Sequence, residues 1–126
     1  MAEPMVVLNN TADSSILVVD DRKEILRVMS DLLGREGFSV RTARNGLDAL
    51  NRMKSDHHIS LVLLDLWMPV MDGWEFLRRK KADPDIAETP VVVISATPPA
   101  SLEGVETVLT KPIDFDQLME TVRHYV

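Results

Sequence analysis

The chain is 126 residues long, 45% hydrophobic and without cysteine, enough to bury one core but not two, with no disulfide or sulfur-ligated metal available to it. A formal net charge of −6 opposes attraction to a phosphate backbone, so direct nucleic-acid binding is not expected. No apolar run approaches the roughly 18 residues of a membrane span and no basic-then-apolar signal opens the chain, which predicts no membrane association and a cytoplasmic address.

Met1 to Ser15 is rich in Asn, Ser, Thr and Asp without a sustained period, and reads as a flexible leader ahead of one folded domain over 16–126. Ile16-Leu17-Val18-Val19, halted by Asp20-Asp21, has the pattern of a strand buried on both faces that ends at a polar rim. Ile25, Leu26, Met29, Leu32 and Leu33 then recur at spacings of three and four, which predicts a helix stopped by Gly34 and Gly37. Ser39 to Ala43 reads as a second strand, Leu47 to Met53 as a second helix, and Leu61 to Leu64 as a third strand ending at Asp65. Trp74, Phe76, Leu77 and the basic run to Lys81 predict a third helix, Val91 to Ile94 a fourth strand, and Val105 to Leu109 a fifth. Between these last two, Pro98-Pro99 and Gly104 oppose a full helix, so the crossover there is expected to carry one or two turns at most. Phe115, Leu118, Met119 and Val122 close the chain with a helix.

Apolar strands alternating with helices imply a parallel α/β sheet covered on both faces through right-handed crossovers. Ligands of such sheets bind beyond the carboxyl ends of the strands. There the chain carries Asp20-Asp21, Asp65, Ser95 and Lys111: three carboxylates, a hydroxyl and an ammonium. Crowded carboxylates raise one another's proton affinity unless a cation neutralises them, and magnesium suits a site of one or two carboxylates plus waters and phosphate oxygens. Asp21 and Asp65 are candidates for direct ligation, with Asp20 acting through water. A carboxylate can also serve as a nucleophile toward phosphorus, and a lysine with a hydroxyl directed at the phosphoryl oxygens completes a minimal transfer site.

Val18-Val19-Asp20-Asp21, the run from Leu64-Asp65-Leu66 through Trp67-Met68-Pro69-Val70-Met71-Asp72-Gly73, Ile94-Ser95-Ala96 and Leu109-Thr110-Lys111-Pro112 together resemble the receiver domain of bacterial two-component response regulators, over about Ile16 to Val126. The resemblance implies a flavodoxin-like open five-stranded sheet of order 2-1-3-4-5, the fourth helix being short or absent here. It implies that Asp65 accepts a phosphoryl group from a histidine kinase or histidine phosphotransfer protein and signals to a downstream protein target. Such a domain is no ordinary enzyme; it catalyses only its own phosphorylation and dephosphorylation. Mg2+ would be held by Asp20, Asp21, Asp65 and the backbone carbonyl of Trp67, the phosphoryl group would be bound by Ser95 and Lys111, and the Lys111-Pro112 bond would be cis. Ser95, Ala96, Thr97 and Val108 occupy the family's switch positions, with valine where an aromatic is usual. Since no second domain follows the last helix in this sequence, output is expected through protein contact, or from a longer protein of which this is a part.

Other readings compete. Asp20-Asp21 alone suits solvated turn carboxylates capping the next helix, and Ser95 and Lys111 alone suit a helix cap and a rim charge. Arg78-Arg79-Lys80-Lys81 is best read as cations complementing a helix dipole, His57-His58 as a surface loop, and Met68, Met71 and Trp74 as filling a core edge rather than lining a docking surface. A flavin carrier would want small hydroxyl and glycine residues where Asp20-Asp21 stand, and a haloacid-dehalogenase-like phosphatase an acid where Trp67 stands. A receiver-like interaction module that is never phosphorylated is the remaining alternative.

Overall fold

The computed structural model describes residues 14–99 and 102–126. Residues 1–13 of the expected leader lie outside them, as do Ala100 and Ser101 of the fourth crossover. Strands β1 (Ser15–Val19), β2 (Ser39–Ala43), β3 (Ile59–Leu64), β4 (Val91–Ser95) and β5 (Thr107–Thr110) form one parallel sheet in the order β2-β1-β3-β4-β5. Helices α1 (Lys23–Arg35), α2 (Gly46–Ser55), α3 (Gly73–Lys81) and α4 (Phe115–Tyr125) cover its two faces. This is the open parallel α/β sheet expected from the strand–helix alternation, in the flavodoxin-like order that the family resemblance implies.

The apolar runs are continuous because each strand feeds two cores at once. In β1, Ile16 and Val18 join the core under α1 and α4, while Leu17 and Val19 join the core under α2 and α3. The same period of two divides β3 into Leu61 and Leu63 against Val62 and Leu64, and β4 into Val92 and Ile94 against Val91 and Val93. Fully burying one such side chain stabilises by roughly 1.5–3 kcal/mol, so a register slip of one residue, which exchanges the two sets, is strongly opposed. Side-chain oxygens of Asn45, Asp72 and Asp114 accept N–H bonds at the starts of α2, α3 and α4. Helix α1 has no such cap.

The crossover from β4 to β5 contains no helix among its described residues. Parallel strands need cover on both faces, and here Leu102 and Val105 supply it, packed with Trp74 and with Val108 of β5 against the α2–α3 core. Its far end is held by polar bonds: Glu106 donates its N–H to Val91 O at 2.8 Å and accepts the Val91 N–H through Oε2 at 2.8 Å. These bonds occupy the segment in which β5 was expected to begin, and the strand starts at Thr107.

The basic end of α3 does more than complement a dipole. Arg78 and Arg79 pair with Glu75, and Lys81 reaches Glu103 of the crossover at 3.6 Å. Lys80, however, is only 3% exposed and donates to the Ala87 carbonyl at 2.9 Å. Burial pushes its ammonium below the ordinary lysine range, opposed by the charges of Glu106 and Glu88. Lys80 therefore ties the loop after α3 to that helix, a role its neighbours in the basic run do not share. Lys80→Ala should lower stability by about 1–3 kcal/mol in urea titration, through lost packing of the stem and an unpaired carbonyl, whereas Arg79→Ala should cost less than about 1 kcal/mol.

Candidate functional site

Sheet register assembles the rim. Val19 pairs with Leu64, so Asp20 and Asp65 are the next residues of adjacent strands, and Asp65 donates its N–H to Val19 O at 3.0 Å. Ser95 pairs with Thr110 across β4 and β5, and Lys111 donates its N–H to Ser95 O at 2.9 Å. The Lys111 ammonium then lies 3.6 Å from both Asp20 Oδ2 and Asp65 Oδ1. Asp20, Asp21 and Asp65 each place one carboxylate oxygen within 4.8 Å of the others; Asp20 is 3% and Asp65 9% exposed, while Asp21 faces solvent. The Lys111-Pro112 peptide bond is cis.

Asp20 Oδ1 accepts the N–H of Arg22 at 2.9 Å, and the Arg22 Nε approaches the same oxygen at 3.4 Å. Arg22 is the N-cap residue of α1, which has no side-chain cap bond, so Asp20 faces the rim and does not cap the helix. Burial raises the Asp65 carboxyl above the usual carboxylate range, with Asp20 and Asp21 adding to the rise and Lys111 and Arg22 opposing it. The donor set fits a hard divalent cation. An octahedron with bonds of about 2.1 Å sets its oxygens roughly 3–4 Å apart, a modest contraction of this cluster.

Ser95 is 1% exposed, and its Oγ accepts the Thr97 N–H at 3.3 Å. Ala96 and Thr97 are exposed at the start of the crossover, and Val108 is half-buried against the α2–α3 core. The Trp67 ring is 64% exposed, set edge-on to Trp74 with 4.7 Å between ring centroids. Met68 and Met71 are buried in the core, and Trp74 packs against it. His57 and His58 are exposed at the opposite end of the sheet, where His58 O accepts the Ser15 N–H.

Three features of the loop after Asp65 were not visible as function in the sequence. Val70 has φ of 71° and is bridged by a Met71 N–H to Pro69 O bond of 2.8 Å, a γ-turn that a β-branched residue adopts only under strain. The turn seats Met71 against Gly46, whose N–H donates to Met71 O at 2.8 Å and whose missing Cβ would lie 2.8 Å from Met71 Cγ. Gly73 donates to Leu66 O at 2.8 Å, and a Cβ there would meet Leu66 Cα at 2.8 Å and Asp65 O at 3.0 Å. The two glycines let α2 and α3 press directly on the segment that carries Asp65.

Residues 16–123 match the response regulator receiver domain family, and the chain belongs to it. It is 36% identical over 125 residues to the sensor histidine kinase RcsC of Escherichia coli, covering 94% of this chain but only 13% of that much longer relative. It is 28% identical over 118 residues to the polar-differentiation response regulator DivK of Brucella ovis, covering 89% of this chain and 95% of the relative. The structure of response regulator TrrA from Thermotoga maritima, in complex with Mg2+ and BeF, superimposes with a TM-score of 0.80 at 28% identity, covering 90% of this chain and 99% of that one. No helix among the described residues is long and apolar enough to cross a membrane.

Because the folded chain binds the Asp65 proton more tightly than the unfolded chain does, ionisation of Asp65 removes stability as pH rises through the carboxylate range. Asp65→Asn should therefore melt higher than the native chain at pH 7 in EDTA, with the gap narrowing toward pH 4. Thermal melts across that range check the sign.

Proposed function

We propose that this receiver domain is a phosphorylation switch in which Asp65 is the phosphoacceptor and a histidine kinase or histidine phosphotransfer protein is the donor. The observation that carries the reading is the placement of the Lys111 ammonium 3.6 Å from both Asp20 and Asp65 inside a cluster of three carboxylates. An Asp65 oxygen attacks phosphorus, the phosphorus–nitrogen bond of the donor phosphohistidine breaks, and the departing imidazole takes up a proton. Lys111 and the Ser95 hydroxyl receive the phosphoryl oxygens, a stabilisation enhanced by the partial exclusion of water around Asp65. Asp21, Asp65 and the Trp67 carbonyl would hold Mg2+ directly, with Asp20 acting through water. Bound there, the ion neutralises charge on the incoming phosphoryl group. The TrrA relative was crystallised with Mg2+ and BeF, which supports assigning the same chemistry here.

On phosphorylation Ser95 gives up its bond to the Thr97 N–H, and the crossover, free of a helix in its described residues, reorganises from Ala96 onward. Val108 takes no part as an aromatic switch. The changed surface is read by a downstream protein in the cytoplasm.

Incubation with magnesium and acetyl phosphate should add one phosphoryl group to the native chain by intact mass and none to Asp65→Asn. Full labelling of that variant would overturn the assignment, and no adduct on the native chain would favour an unphosphorylated interaction module. Amide exchange with beryllofluoride should change most in Ala96 to Gly104 and in the loop after Asp65. An unaltered crossover beside a strongly altered α4 would sink the proposed route of output.

A further inference from the structure

Arg22 was not among the residues singled out by sequence, yet it is the second cation on the acidic rim. Its backbone N–H and its Nε both address Asp20 Oδ1, while Lys111 addresses Asp20 Oδ2, so both oxygens of a carboxylate that is 3% exposed are engaged by cationic residues. Its charge is felt beyond Asp20. The guanidinium holds its proton more tightly than an ordinary arginine, first through the hydrogen bond to Asp20 and then through the charges of Asp20, Asp65 and Asp21.

Charge accounting shows what this does. Three carboxylates against Lys111 and Arg22 leave one net negative charge on the rim; without Arg22 there would be two. A divalent cation entering the native rim therefore meets half the net charge it would otherwise meet, and its entry turns the site net positive instead of neutral. Once Asp65 carries a doubly charged phosphoryl group, the same rim with metal and Arg22 is neutral, whereas without Arg22 it is net negative. Arg22 thus favours the metal-free and the phosphorylated states over the metal-loaded, unphosphorylated one.

We infer that Arg22 is a positioning residue that braces the metal-free acidic cluster through Asp20 and thereby weakens the site's hold on a divalent cation. The affinity half of this rests on the magnesium reading above; the bracing half does not. Because the Arg22 side chain is 47% exposed, the effect is screened and moderate rather than dominant.

The test uses the full chain with Arg22→Gln, which removes the charge and keeps the backbone bond to Asp20, and Arg22→Lys, which keeps the charge. Magnesium chloride titrations followed by tryptophan fluorescence should show Arg22→Gln binding about threefold or more tighter than native and Arg22→Lys within about twofold of native. In EDTA at low ionic strength, Arg22→Gln should melt about 2–4 °C below native, and the gap should shrink in 1 M salt. A folded Arg22→Gln with native magnesium affinity overturns the inference alone. An unchanged melt in EDTA overturns the bracing. A native chain that gives no saturable response to magnesium overturns the metal reading and with it the affinity half, leaving the EDTA melts to decide the rest.

Discussion

Mutual repulsion of the carboxylates at the ends of β1 and β3 is the constraint on which the site depends. A parallel sheet whose strands are buried on both faces delivers strand ends to a partly dry rim, and register makes Asp20 and Asp65 neighbours there. Two buried carboxylates in that position are tolerable only with cations beside them, since a buried unpaired charge would shift its pKa and neutralise. Lys111 meets this need from β5 and Arg22 from the start of α1, which bring together residues from both ends of the sequence. The raised proton affinity of Asp65 shows that the compensation is incomplete. A carboxylate held this way gains from any further cation placed beside it.

The helix missing from the described crossover alters how the α2–α3 face is closed, not whether it is closed. Val91 and Val93 stay fully buried, with Leu102 and Val105 of the crossover and Val108 of the neighbouring β5 packed against that core. Among its described residues such a cover has no ladder of its own, and it is held at its ends by the Ser95 Oγ bond to Thr97 and by the paired Glu106 bonds to Val91. Lys81 adds an ion pair to Glu103, weak because both partners are exposed. The weaker of the two anchors is the one that belongs to the rim.

The sheet was legible in the sequence because doubly buried strands leave unbroken apolar runs, and because Asp20-Asp21, Asp65 and Lys111 interrupt those runs at one end. The boundaries of β5 were less so: Val105 and Glu106 read as strand, but the Glu106 side chain folds back on Val91 and delays the ladder to Thr107. Lys80 was hidden inside a run of four cations, since nothing in composition tells which member of a basic helix end turns inward. Arg22 escaped notice for a related reason. An arginine after two aspartates reads as an ordinary solvated charge until both Asp20 oxygens are seen to have partners.

Strain in the loop after Asp65 completes the physical picture. A β-branched side chain at positive φ costs on the order of 1–2 kcal/mol, and Val70 is 78% exposed, so its own packing does not compensate. The compensation lies on either side. The γ-turn swings Met71 into the core against Gly46, and Asp72 accepts the Glu75 N–H to start α3. Gly73 brings that helix into contact with the backbone of Asp65 and Leu66. Any motion of the Asp65 segment must therefore move α3 or open the contact at Gly73. Trp67, exposed on that loop, touches Trp74 of α3 edge-on and so adds a second contact between the loop and that helix.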